Sequence, residues 1–230
     1  HQSIGCGALS LFGTEEQKKR YLSHLANDTL SAFCLSEPNV GCDAGNQETI
    51  CKKDENGDFI IVSGDKKWST SGALAGFFTV MAKQKMEDPK TGKMKDRITA
   101  LIITPDMEGV DIYERNRSKL CIRGTWQARI RFNNVRVPKE NLLFKEGKGL
   151  NVALTCLNYG RCTLAAGMVG AAQTALEQGG KWAAYRHQFD RAIGEFDLVK
   201  DRLATMQAYL YAIEAMLYMT TGFVDRGDDD

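Results

Sequence analysis

Charge excess, histidine, closely spaced cysteine pairs and long unbroken apolar runs are all scarce in this 230-residue chain. Lys and Arg number 30 against 29 Asp and Glu, a formal net charge of +1. So even a balance gives no broad field for nucleic acid or an anionic membrane, and no nucleic-acid partner is expected. The 3 histidines, His1, His24 and His187, stand far apart, so no metal site is expected. The 7 cysteines, Cys6, Cys34, Cys42, Cys51, Cys121, Cys156 and Cys162, are scattered and odd in number, with no C-x-x-C pair. That argues against a disulfide scaffold or zinc ribbon and for mostly buried, reduced thiols. The most apolar stretch, residues 203–224, contains Gln207 and Glu214 and is patterned on one face, so it reads as a buried helix and no transmembrane segment is expected. No internal repeat is visible. The opening His1-Gln2-Ser3 is not a natural start, so further chain is expected before it.

What is present divides into textures. Thr14-Glu15-Glu16-Gln17 has the form of a capping box, and a helix is expected to follow to about Leu25 and end at Asn27-Asp28. From Leu30 short apolar or alternating runs are punctuated by Gly, Asn, Asp and Pro. Residues 49–53 and 59–63 flank Asn56-Gly57, a strong hairpin signal. Residues 77–82 and 99–103 are β-prone runs joined by a polar connection over 87–96, and residues 129–132 alternate as a strand with one wet face does. Beyond Gly149 the period becomes helical. Gly160, Ala165, Ala166, Gly167, Gly170, Ala171 and Ala172 suggest a closely packed helix, and Leu203, Met206, Leu210, Ile213 and Leu217 form one stripe. The polar residues 225–230 read as a frayed end. The expected fold class is α+β: an antiparallel, barrel-like middle domain followed by an incomplete C-terminal helical bundle. The expected divisions are residues 1–30, the end of an N-terminal helical domain; 31–140, the β-domain; and 141–230, part of a helical domain.

Two stretches carry candidate chemistry. Ala32-Phe33-Cys34-Leu35-Ser36-Glu37-Pro38-Asn39-Val40-Gly41-Cys42-Asp43 runs a strand into a turn, freeing backbone N–H groups and the Ser36 hydroxyl for a ligand. Lys66-Lys67-Trp68-Ser69-Thr70-Ser71-Gly72 sets an aromatic face beside hydroxyls, which suits a flat heterocycle. Taken singly, each also reads as ordinary structure, a turn after a strand and an aromatic plug.

Together they resemble the A-x-x-T-E-P-x-x-G-S-D and K-x-W-I-T-N-G segments of the acyl-CoA dehydrogenases. The resemblance extends through Leu120-Cys121-Ile122-Arg123-Gly124, Val135-Arg136-Val137-Pro138, Gly147-Lys148-Gly149-Leu150, Leu157-Asn158-Tyr159-Gly160-Arg161 and Arg186-His187-Gln188-Phe189, most like the very-long-chain branch. It implies an FAD cofactor contacted by Phe33, Cys34, Leu35, Ser36, Gly41, Cys42, Trp68, Ser69 and Thr70. Thr70 would offer its hydroxyl to the hydride-accepting nitrogen. Arg186, His187, Gln188 and Phe189 would reach the FAD of a neighbouring subunit. Cys42, Asn158, Tyr159, Gly160 and Arg161 would meet the acyl-CoA substrate. The resemblance further implies α,β-dehydrogenation of acyl-CoA thioesters in fatty acid β-oxidation, electron-transferring flavoprotein as acceptor, a homodimer or homotetramer, and a mitochondrial location. The chain departs from the pattern at Ser36 (for Thr), Cys42 (for Ser) and Asp190 (for Gly). The catalytic base of the family is a Glu in a Y/F-E-G-T segment, which is expected beyond Asp230; its alternative position falls on Gly160, which has no side chain. The catalytic residue is therefore unassigned, and the chain by itself is expected to be inactive and to self-associate through its uncovered helix faces. An alternative is a relative that acts as a scaffold or assembly factor, as one member of that branch does for respiratory complex I.

Overall fold

A computed structural model describes residues 4–227. The chain forms two compact units, residues 1–157 and 158–230. The first opens with α1 (Ile4–Phe12) and α2 (Glu15–Asn27). The capping box forms as expected: the Gln17 amide nitrogen donates to Thr14 Oγ1 at 3.2 Å and the Thr14 amide to Gln17 Oε1 at 3.0 Å. The Gln17 side chain also donates to the carbonyls of Glu140 and Leu142, at 2.7 and 2.9 Å, tying the start of α2 to the end of the sheet.

The strands are β1 (Leu30–Cys34), β2 (Ile50–Lys53), β3 (Phe59–Thr70), β4 (Ala75–Glu87), β5 (Met94–Ile103), β6 (Val110–Glu114), β7 (Gln127–Pro138) and β8 (Leu142–Leu143). The path β6-β7-β3-β2-β4-β5-β8 has two free ends, with β1 added beside β4. The α+β class therefore stands, but two details of the expectation change. Among the described residues the sheet does not close into a barrel, and it is mixed, because β1 and β2 both run parallel to β4. These two strands share one edge of β4: β1 pairs along residues 75–80 and β2 at residues 83–84. Residues 35–49 leave the sheet between them. The Asn56-Gly57 turn joins β2 to β3 with Gly57 at φ 72°, a left-handed conformation for which glycine carries no steric cost.

The sheet is buried on both faces along β4 and β5. Phe78, Val80 and Ala82 join Leu101, Ile103, Ile130 and Phe132 in one core, while Phe77 and Met81 join Ile98, Ala100, Ile102, Tyr21 and Leu9 in the other. A strand covered on both sides needs apolar residues at consecutive positions, which is why residues 77–82 do not alternate. The helix α3 (Gly149–Tyr185) begins against β5. At Gly149 a Cβ would fall 2.7 Å from the Ala100 nitrogen and the Thr99 carbonyl carbon, so only glycine lets the helix start this close.

The cysteines are all free, but only Cys34, Cys51 and Cys156 are buried, fewer than expected; Cys42 and Cys121 are exposed. Burial pushes the Cys51 thiol up to about 12 and those of Cys34 and Cys156 to about 11. At neutral pH these three stay protonated and unreactive. Timed iodoacetamide labelling read by mass spectrometry should modify Cys42 and Cys121 first, and the buried three only after unfolding.

The second unit contains the remainder of α3, a hairpin of β9 (His187–Gln188) and β10 (Arg191–Ala192), and α4 (Asp197–Arg226). Gln173 Nε2 donates to Glu214 Oε1 at 3.1 Å, and Gly194 lies against Ala183, so α3 and α4 run antiparallel. Of the predicted α4 stripe Leu210 is buried, whereas Met206 and Ile213 are exposed in the chain alone. The fray predicted over residues 225–230 does not begin at 225, because Asp225 and Arg226 are still helical and Gly227 caps α4 at φ 70°; residues 228–230 lie outside the described residues.

Candidate functional site

The strand β1 alternates: Ala32 and Cys34 enter one core, and Phe33 and Leu35 face the other side. The strand β3 has a break in its register with β7 between Lys66 and Ser69. At that bulge Trp68 adopts φ 62° and Ser71 follows at φ 64°, both left-handed. A bulky residue held there costs of order 1–3 kcal/mol, so the surrounding contacts must fix it. Arg117 lies over the indole at 4.6 Å and Lys67 at 5.3 Å, a pair of cation–π contacts that hold the ring while leaving it 43% exposed.

These features meet. A cavity of about 170 Å³ is lined by Ile4, Phe33, Leu35, Ser36, Lys67, Trp68, Thr70 and Leu157. The strand end and the bulge, separated by about thirty residues of sequence, form its walls. Thr70 Oγ1 accepts a hydrogen bond from Gln127 Nε2 at 3.0 Å, which leaves the hydroxyl proton of Thr70 for a cavity ligand. The chemistry offered is an aromatic face, apolar side chains and two hydroxyls, arranged for a flat ring with polar edges.

Five of the residues singled out from sequence therefore share one cavity: Phe33, Leu35, Ser36, Trp68 and Thr70. The side chains of Cys34 and Ser69 do not join them; both are buried, at 0% and 1% exposure, because the strand pleat turns them into the core. Gly41 and Cys42 are exposed on the excursion and do not line the cavity. In the second unit, Asn158, Tyr159, Gly160 and Arg161 lie well inside α3, with the Arg161 guanidinium donating to Asn158 Oδ1. Gln188 pairs with Arg191 and His187 with Ala192, leaving a two-residue turn of Phe189 and Asp190 at φ 54° and 62°. That is a type I′ geometry, and aspartate tolerates it better than most residues, which accounts for Asp190 at a position favouring glycine. Arg186 stays exposed beside Trp182, and Phe189 is exposed at the hairpin tip.

Sequence reasoning missed the group behind the cavity wall. Lys66 and Glu37 form an ion pair at 2.7 Å with both side chains wholly buried. The Lys66 ammonium also donates to the Leu35 carbonyl at 3.2 Å and to Gln47 Oε1. Glu37 in turn accepts from the amides of Glu48 and Thr49, closing the neck of the 35–49 excursion. Burial alone would raise the Glu37 carboxyl, but the Lys66 charge and these hydrogen bonds outweigh it and hold it below its ordinary 4.5. A carboxyl with a lowered folded value contributes stability above its unfolded value that disappears as pH falls through the folded one. Urea midpoints should therefore drop as pH is lowered from 5 to 3, and Glu37→Gln should flatten that slope.

This sheet-and-helix framework, with a ring-sized cavity between a strand end and a tryptophan bulge, has clear relatives. Residues 32–135 match the acyl-CoA dehydrogenase middle domain and residues 147–230 the acyl-CoA dehydrogenase C-terminal domain. The chain belongs to the acyl-CoA dehydrogenase family. It is 38% identical over 231 residues to the mitochondrial very long-chain specific acyl-CoA dehydrogenase of Homo sapiens, covering 100% of this chain and 35% of that protein. A probable acyl-CoA dehydrogenase of Mycobacterium tuberculosis is 35% identical over the same span. Among solved structures, an acyl-CoA dehydrogenase from Bacillus anthracis complexed with FAD superposes with a TM-score of 0.86 at 37% identity, over 97% of this chain and 37% of that one. Butyryl-CoA dehydrogenase from Megasphaera elsdenii gives 0.85 at 32% identity, over 97% and 57%. The chain spans about a third of the length of these curated relatives. No helix among the described residues is long and apolar enough to cross a membrane.

Proposed function

We propose that this chain supplies the flavin-ring wall of an FAD-dependent dehydrogenase that converts acyl-CoA thioesters to trans-2-enoyl-CoA. The observation that carries this reading is the cavity joining Phe33, Leu35 and Ser36 to Trp68 and Thr70. Its residues fit the cofactor. The Trp68 face and the Phe33 and Leu35 side chains would cover the ring, Ser36 would bond its polar edge, and Thr70 would donate its free proton to a ring nitrogen. FAD, when bound, supplies the acceptor for the hydride leaving the substrate β-carbon. The task of the chain is to orient that ring and to keep water from it. No carboxylate lines the cavity, so the reading assigns no proton-abstracting residue there.

Arg186, His187, Gln188 and Phe189 on the hairpin would meet the diphosphate of an FAD held by a second copy, a role for which an exposed guanidinium is suited. Asn158, Tyr159 and Arg161 would face the acyl-CoA. Electron-transferring flavoprotein as acceptor, a homo-oligomeric state and a mitochondrial location follow from the same reading. Purified full-length protein, carrying the segment expected beyond Asp230, tests it: a flavin spectrum that bleaches on adding a long-chain acyl-CoA supports the enzyme. A bound flavin that no acyl-CoA reduces would point to the scaffold alternative, and protein that takes up no FAD would overturn the reading.

A further inference from the structure

The buried group formed by Lys66, Glu37 and Gln47 is more elaborate than packing requires. All three Lys66 ammonium protons have an acceptor: the Leu35 carbonyl, the Glu37 carboxylate and the Gln47 side-chain oxygen. Each acceptor belongs to the excursion between β1 and β2, whereas Lys66 lies in β3 immediately before the Trp68 bulge. The next residue repeats the link through backbone, as the Lys67 amide donates to the Ser36 carbonyl at 2.8 Å. Leu35 and Ser36 line one wall of the cavity, and Lys67 and Trp68 line the other. Lys66 and Lys67 thus both tie the bulge to the end of β1, beside a Cys34–Ser69 side-chain contact in the core behind them. Dehydrating a lysine and a glutamate is costly and often adds nothing to stability over an apolar pair. Its retention here calls for a role in geometry.

We propose that Lys66 is a positioning residue, which acts through the Leu35 carbonyl and the Glu37 carboxylate to fix the separation of the cavity walls and so the affinity for a flavin ring. The ligand in this statement rests on the function proposed above; the wall geometry does not. The two are separated by measuring the full chain with and without FAD. Three variants serve: Lys66→Met, Glu37→Gln, and both together. The double variant removes both buried charges and so restores thermal stability towards the wild type, yet it still lacks the donor to Leu35. In the FAD-free protein, hydrogen exchange at the Lys67 amide should quicken at least tenfold in Lys66→Met and in the double variant. FAD affinity, followed by flavin fluorescence, should weaken at least tenfold in the same two proteins.

A double variant that recovers its Tm, its Lys67 protection and wild-type FAD affinity would show that the pair only stabilises the fold, and would overturn the proposal. If wild-type protein binds no FAD, the flavin reading fails, and exchange at Lys67 still decides the positioning role. Faster exchange in the stable double variant supports it, and unchanged exchange refutes it.

Discussion

Phe77→Ala and Phe78→Ala, made separately, should each cost about 3–5 kcal/mol, the range for truncating a buried aromatic side chain. Neighbouring residues on a strand point to opposite faces, so in a sheet with one wet side one of the pair would be nearly neutral. Here Phe77 packs beside Tyr21 at 5.3 Å between ring centres, and Phe78 sits among Val80, Leu101 and Ile130; exposures are 1% and 0%. The Phe78 site lies wholly within the core, whereas Phe77 also borders a surface cavity lined by Tyr21, Gly76 and Thr104, which puts its loss at the lower end of that range. Urea denaturation of each variant, monitored by circular dichroism, measures the cost. A loss under 1 kcal/mol for Phe77→Ala would mean that the helices do not cover that face.

The second large effect concerns charge. Removing one partner of the Lys66–Glu37 pair strands the other in a fully buried site, and Lys66→Met or Glu37→Leu should cost about 3–5 kcal/mol. Losing both charges at once should cost much less than the sum, because the penalty lies in the unpaired ion rather than in the lost attraction. A double-mutant cycle from urea midpoints reads this directly. Additive losses would show that the two side chains do not share one buried site.

Much of this was legible in the sequence because it rests on local chemistry. The Thr14 and Gln17 cap and the Asn56-Gly57 turn each declare themselves within four residues. The five cavity residues came from the family resemblance rather than from periodicity, and their convergence depends on pairings no local pattern reports. The parallel seat of β1 on β4 joins residues about 45 apart, and the strong hairpin signal beside it suggested a wholly antiparallel sheet. The helix α1 went unnoticed because Ile4–Phe12 carries no acidic residue in its first turn and contains two glycines. Lys66 left a trace that could have been followed. Ile60 and Val62 fix the core-facing phase of β3, and stepping by two reaches Gly64 and then Lys66, a charge on the inward register. Glu37, 29 residues earlier, neutralises that charge, and the Leu35 carbonyl and Gln47 accept its other protons. The bulge after it then reverses the phase, so Trp68 faces out and Ser69 in, which is why the Ser69 side chain does not line the cavity.

The central claim is that a flavin ring packs between the end of β1 and the Trp68 bulge. The chain has three tryptophans, Trp68, Trp126 and Trp182, hence three indole N–H resonances in a nitrogen-edited proton spectrum of the labelled protein. Assignment by Trp68→Phe and titration with FAD gives a direct reading: the Trp68 indole should shift most, through the ring current of the stacked isoalloxazine. A Trp68 resonance that stays fixed while FAD saturates the protein would place the flavin elsewhere and contradict the account.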